Sequence, residues 1–259
     1  MSLRVLVTRP QAQASSTVAA ISALGHQVLP MPCLEIVPVS LASDQGQVNK
    51  YLAMDLDAYA HVIVVSTNAA ACFLPVVEDY WPQWPQGQTW WAMGATTQAA
   101  LQAVDIPQVQ RAAAGETSED LLRSLLPLMK AGDKVLIVRG VGGRETLAQT
   151  LEAQGIKVDY AQCYSRQAPV LAARDIEKVQ AFQPQIVVLQ SGETLLNFEA
   201  SFAEQIDRSG ATTRLLLPSA RVLLLAQQLG YQQCLLSQGA SDQAICHTLS
   251  QYEVSQEAN

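Results

Sequence analysis

Histidine is scarce: His26, His61 and His247 are the only three in 259 residues, and no two share the spacing of a metal-ligand pair. Each is read as a structural or surface side chain, and no metal site is expected. The five cysteines, Cys33, Cys72, Cys163, Cys234 and Cys246, are odd in number and never spaced C-x-x-C. That argues against a disulfide framework or a thioredoxin-type motif and for buried free thiols in a reducing compartment. Charge is also thin, at 15% of residues, and acids outnumber bases for a net charge of −7. A nucleic-acid partner, which would demand a basic face, is excluded on that ground. An anionic ligand would need a local site that overrides the global field. No apolar run approaches the ~18 residues of a membrane span. The chain passes from Met-Ser-Leu-Arg directly into a strand pattern, with no room for a signal peptide. A cytoplasmic protein without membrane contact is expected. G-x-S-x-G and H-E-x-x-H are both missing.

What the chain does have is apolar runs, with 49% of residues hydrophobic. Ten read as strands: 5–8, 27–32, 62–66, 89–93, 108–112, 134–138, 157–162, 186–190, 214–218 and 233–237. Several are continuously apolar, as strands covered on both faces must be. Helical spacing of apolar residues fills most of the intervals, as in LLRSLLPLM and LAQTLEAQG. Such alternation predicts right-handed βαβ units and parallel sheets flanked by helices, an α/β fold.

One stretch occurs twice. VLVTRPQAQASSTVAAISALGHQV (5–28) and VLIVRGVGGRETLAQTLEAQGIKV (135–158) align without gaps at an offset of 130 (135 − 5). They share Val-Leu, an Arg four residues after the first Val, Ala-x-Gly and a closing Val, and Cys33 then falls on Cys163. Both copies run into irregular stretches, about 34–38 and 164–169. If these are connectors, five strands lie between them and five outside. The expectation is two similar domains, each a five-stranded parallel sheet: a discontinuous one of 1–35 and 170–259, and a continuous one of 39–163.

Open parallel sheets bind ligands at the carboxyl ends of their strands. The loops there offer Thr8 and Arg9; Ser66, Thr67 and Asn68; Gly94 and Thr96; Thr117 and Ser118; Arg139, Gly140 and Arg144; Ser191; Ser219; and Ser241. Each Ser, Thr or Asn is explained singly as a helix N-cap. Gathered along one edge of two facing sheets, they would offer amides and hydroxyls to carboxylates. Gly140-Val141-Gly142-Gly143 is not a dinucleotide fingerprint, because Glu145 stands where the last glycine belongs, and no P-loop Lys-Ser/Thr follows. The residues describe a polar, arginine-dotted cleft with no recognisable nucleophile and no cofactor. An acid-binding hinged receptor, a nucleotide-sugar transferase and an enzyme that works by positioning all fit that description.

The ordered series VLVTRP, VIVVSTNAAACF, WWAMGATTQAAL, GETSEDLL, VLIVRGVGGRETLAQTLEAQG with CYSRQAP, VVLQSGETLLNF and LLLPSARVLLLAQQLG resembles the uroporphyrinogen-III synthase family over nearly the whole chain. The resemblance implies two α/β domains joined by a two-strand connector. It implies closure of hydroxymethylbilane to uroporphyrinogen III with inversion of ring D and loss of water, and no metal or organic cofactor. It implies Tyr164 as the phenol that assists departure of the hydroxyl. A monomer is expected, with transient contact to the deaminase that supplies the substrate. One departure is local: the family commonly closes the helix after GATT with glycine, and 101–105 contains none.

Overall fold

The computed structural model describes residues 2–143 and 145–257. Along the chain run β1 (Arg4–Val7), α1 (Gln11–Ala23), β2 (Gln27–Pro30), β3 (Glu35–Pro38), α2 (Asp44–Met54), β4 (His61–Val64) and α3 (Thr67–Glu78). Then come β5 (Thr89–Ala92), α4 (Ala95–Gln102), β6 (Val109–Arg111), α5 (Ser118–Leu125), β7 (Lys134–Gly140), α6 (Thr146–Glu152) and β8 (Lys157–Gln167). The chain closes with α7 (Ala173–Phe182), β9 (Ile186–Val188), α8 (Gly192–Phe202), β10 (Arg214–Leu217), α9 (Ala220–Gln228), β11 (Cys234–Leu236) and α10 (Asp242–Glu257). All ten expected strands form.

The chain divides into two compact units, one of residues 1–35 with 167–259 and one of residues 36–166. The first holds a five-stranded sheet in the order β11-β10-β9-β1-β2, and every neighbouring pair is parallel. The second has six strands, in the order β3-β8-β7-β4-β5-β6. The sixth corrects the count of five read from the apolar runs, and it is the partner strand to the extended β8 that the two-strand connector of the resemblance calls for. The 34–38 stretch is not irregular: it forms β3, an edge strand whose Ile36 packs on the core. Nor does β8 stop at 162; it runs on through Tyr164 to Gln167.

The unit sheets have the same plan. Strand β1 pairs with β2 as Val5↔Val28, and β7 pairs with β8 as Val135↔Val158, so the offset of 130 holds in the register itself. A second offset appears in the other strands. Ile186 lies beside β1 where His61 lies beside β7 (186 − 61 = 125), Arg214 corresponds to Thr89 and Cys234 to Val109 at the same interval. Strand for strand, β2-β1-β9-β10-β11 therefore matches β8-β7-β4-β5-β6. The continuous unit is a circular permutation of the discontinuous one. In each, the direction of winding reverses once, between β1 and β9 and between β4 and β7. Ligands of open α/β sheets bind at the carboxyl ends beside such a reversal.

Period-two alternation puts a core on both faces of each sheet. Val62 and Val64 join one cluster of the second unit and Ile63 the other; Leu6 joins one cluster of the first unit while Val5 and Val7 join the other. Phe73 and Phe198 hold equivalent, fully buried places. Each contributes about 1.5–3 kcal/mol through burial.

The missing glycine after GATT has a structural answer. Helix α4 ends in a Schellman pattern, with Ile106 N–H donating to Leu101 O and Asp105 N–H to Gln102 O. Asp105 takes the left-handed position at φ 57°, which in α9 is held by its counterpart Gly230 at φ 92°.

Candidate active site

The helix-start residues do first what helix starts require. Ser66, Ser191, Ser219 and Ser241 accept from the backbone N–H three residues on, at Ala69, Thr194, Val222 and Ala244. Thr117 forms a capping box with Asp120. Each such cap stabilises its helix by about 1 kcal/mol. At α4 the N-cap position is Gly94, and the Glu116 carboxylate accepts from Ala95 N–H at 3.0 Å, so an acid already lies at this helix start. Thr67, Asn68 and Thr96 fall in the first turns of α3 and α4.

At the reversal between β4 and β7, several candidates converge. Ser66 Oγ is 3.2 Å from the Tyr164 hydroxyl. Tyr164 owes its aim to a β-bulge. The pairing Arg139↔Gln162 is followed by Gly140↔Tyr164, so Cys163 is an extra residue. Strict alternation would put Tyr164 on the face of Tyr160; instead it packs in the same cluster as Ala161 and Cys163. The Cys163 thiol lies 3.3 Å from Arg139 O and 3.5 Å from Ala69 O, and burial pushes it up to about 12. Gly140 is required here: a Cβ on it would stand 2.8 Å from Tyr164 Cζ.

Tyr164 opens on a cavity of about 160 Å³, lined also by Ser118, Arg139, Gly140, Tyr160 and Arg166 over an apolar floor that includes Val65 and Ile137. Arg139 is nearly buried, with its guanidinium 4.9 Å from the Tyr160 ring centre. It donates to Gly142 O and lies 3.4 Å from Glu145 Oε1. Tyr160 donates to Glu145 Oε2 at 2.8 Å. Its phenol is pushed up to about 12, by burial first and then by Glu145, against the pull of Arg139. This phenol therefore stays protonated as a donor at neutral pH. Arg144 lies outside the described residues.

The corresponding reversal in the first unit is closed by its own side chains. Thr8 is fully buried and donates to Val188 O at 2.8 Å, tying β1 to β9. Arg9 is held by Asp242 at 2.8 Å, by Thr17 Oγ1 at 2.8 Å and by Ala240 O at 2.9 Å. Both residues do structural work. Sequence reasoning did not single out Tyr160, Arg166 or Glu145, nor Gln190, the counterpart of Val65. The buried Gln190 Nε2 finds no hydrogen-bond partner among the described residues, which leaves a donor at the carboxyl end of β9. A polar residue closing the run IVVLQ was the available signal.

Two of the histidines the sequence set aside are buried structural residues. His61 Nδ1 accepts from Trp91 Nε1–H at 3.2 Å, and His26 lies 3.7 Å from Glu253. No described helix is long and apolar enough to cross a membrane.

Comparison with known proteins adds the lineage. A family model described as uroporphyrinogen-III synthase HemD matches residues 15–245. The chain is 30% identical over 254 residues to the uroporphyrinogen-III synthase of Escherichia coli (strain K12), covering 95% of this chain and 100% of that one. It is equally similar, at 30% over 253 residues with 95% and 100% covered, to that of Salmonella typhimurium (strain LT2). Among solved structures, uroporphyrinogen-III synthetase from Helicobacter pylori 26695 superposes with a TM-score of 0.61 at 16% identity over 97% of this chain and 99% of that one. A mutant synthase from the extremely thermophilic bacterium Thermus thermophilus gives 0.59 at 13% over 100% of both. The fold is shared at those low identities, and the end-to-end match in sequence decides the rest: this chain belongs to the uroporphyrinogen-III synthase family.

Proposed function

We propose that this chain closes hydroxymethylbilane to uroporphyrinogen III, inverting ring D and releasing water, as a cofactor-independent lyase of haem biosynthesis. The observation that carries the reading is the Tyr164 hydroxyl, paired with Ser66 and opening on the Arg139 cavity, in a chain of this family. Family membership sets aside the acid receptor and the sugar transferase.

The chemistry asks for one proton and much orientation. The substrate's terminal hydroxyl leaves as water once protonated, and a phenol within hydrogen-bond reach supplies that proton. Tyr164 donates it, and Ser66 holds the phenol in line. The cationic methylene left behind is attacked by ring D at its substituted α-carbon, giving a spiro intermediate. The bond from that carbon to its original methylene then breaks, and that methylene rejoins ring D at the free α-carbon. Loss of the proton there restores the pyrrole with ring D inverted while the other rings stay fixed. Spontaneous closure without inversion competes, so binding must favour the inverted transition state. Fixing the reacting geometry supplies several kcal/mol of that preference. The eight substrate carboxylates give the grip: Arg139 takes charge directly, and the helix-start amides around Ser66, Ser118, Ser191, Ser219 and Ser241 take others. The enzyme acts as a cytoplasmic monomer, with its unstable substrate handed over by the preceding deaminase. A direct association assay between the two purified proteins tests the handover, and no detectable binding would remove it.

The decisive experiment incubates the protein with freshly generated hydroxymethylbilane and separates the isomers. Isomer III is expected; isomer I alone overturns the reading. Tyr164→Phe is expected to lower kcat about 10²-fold, the usual loss when a general acid is removed. Unchanged turnover would take the phenol out of the mechanism.

A further inference from the structure

The two units invite a comparison position by position, because registers and offsets match. Arg9 corresponds to Arg139 at an offset of 130, each two residues after the equivalent strand positions Val7 and Ile137. Facing each arginine is the helix that follows the last strand on that side of the sheet: α10 after β11, and α5 after β6. The first helical residue is Asp242 in one and Ser118 in the other. Thr17 in α1 corresponds to Leu147 in α6, again at 130.

In the first unit these three positions form a closed knot. Arg9 Nη1 is 2.8 Å from Asp242 Oδ1, and Thr17 Oγ1 donates to the same oxygen at 2.6 Å. In the second unit the carboxylate is replaced by a hydroxyl and the hydroxyl by a leucine. Ser118, Arg139 and Leu147 all line the one cavity of about 160 Å³. The arginine stays, its local carboxylate is gone, and a space remains. Glu145 is a poor substitute, at 3.4 Å and with its side chain 54% exposed. The cavity is far smaller than the ~300–1,000 Å³ that drug-sized ligands fill, so it fits an acid arm and not a tetrapyrrole.

We propose that this cavity is a carboxylate subsite that takes one carboxylic arm of the ligand onto Arg139, in the way Arg9 holds Asp242. That the arm is an acetate or propionate of the bilane rests on the proposed function; the subsite itself does not. Glu145 swings out as the arm enters, and Tyr160 keeps the guanidinium plane in place.

The test is to give the second unit the residue that fills the first. Ser118→Asp builds the carboxylate into the cavity, at a helix start that favours acids. The expected result is a folded protein, with its urea midpoint kept or raised, whose KM for hydroxymethylbilane rises about 10- to 100-fold, the scale of one charge-assisted contact. Ser118→Asn, similar in size but neutral, should raise KM several-fold less. Independently of turnover, the Arg139 side-chain N–H resonance should shift on titration with sodium propionate in the original protein and not in Ser118→Asp. If Ser118→Asp lowers the urea midpoint, Arg139→Gln supplies the KM readout, and the propionate titration of the original protein supplies the other. Isomer III production by the original protein with KM unchanged in Ser118→Asp overturns the subsite and leaves the proposed function intact. A propionate-silent Arg139 overturns it too. Isomer I alone from the original protein overturns the proposed function, while the propionate titration still decides the subsite.

Discussion

At the scale of single residues, the site depends on Gly140 as much as on Tyr164. The bulge at Cys163 turns the phenol, and the bare Cα of Gly140 gives it room. Gly140→Ala would put a methyl 2.8 Å from Tyr164 Cζ and displace the ring. A misplacement of about 1 Å can cost 10²-fold in rate, so kcat should fall on that order while the thermal midpoint moves little. Steady-state assay beside a melting curve checks both. His61 offers a pH test. Burial lowers its pKa, with Asp133 acting weakly the other way, so the folded chain holds it neutral. The unfolded chain, at about 6.5, binds the proton more readily below that value. The stability His61 contributes is therefore complete above the unfolded pKa and is lost as pH falls through the lower folded one. Urea midpoints between pH 7.5 and 5.5 should decline on acidification, and less steeply in His61→Gln; parallel slopes would refute the assignment. Of the site, the sequence shows the strand-end loops and Arg139, since both follow from where apolar runs stop. It hides the aim of Tyr164, because a bulge breaks the alternation on which face assignments rely.

At the scale of elements, the permuted match between units explains a local weakness. Helices α4 and α9 end with the same pair of hydrogen bonds, but α9 places Gly230 in the left-handed position and α4 places Asp105 there. An L-residue in that region costs about 1 kcal/mol, less for Asp than for most. Asp105→Gly should therefore raise stability by about 0.5–1 kcal/mol, read as a higher urea midpoint with an unchanged slope. A lower midpoint would mean that the Asp105 side chain contributes something its backbone does not reveal. The same comparison shows what was legible. The ten apolar runs are read off because buried parallel strands need them. Strand β3 escapes because Glu35-Ile36-Val37-Pro38 is a half-exposed edge with two apolar residues and a proline. The offset of 125 escapes as well: between 61–111 and 186–236 only six of 51 positions are identical. Packing preserves Phe73 as Phe198 and capping preserves Ser66 as Ser191, while the rest drift within their physical class.

At the scale of the whole molecule, each unit has its own cores. Every residue of the two clusters flanking the six-stranded sheet falls within 36–166, and every residue of the other two falls outside it. Since burial of apolar surface is the main favourable term in folding, a segment that keeps its whole core keeps its main source of stability. The excised segment 36–166 begins inside β3 and ends inside β8, strands that neighbour each other in one sheet. Both cuts thus fall at one edge and leave β4 to β7 intact. We expect the segment to unfold in a single cooperative urea transition, with stability in the range of about 5–15 kcal/mol found for small domains. It should retain the propionate response of Arg139, whose cavity lies wholly within it. It should form no uroporphyrinogen III if, as proposed, the loops at Ser191, Ser219 and Ser241 of the other unit also hold substrate carboxylates. A gradual, non-cooperative unfolding curve would show that the permuted halves do not fold alone, and isomer III from the fragment would show that one set of strand ends suffices for the reaction.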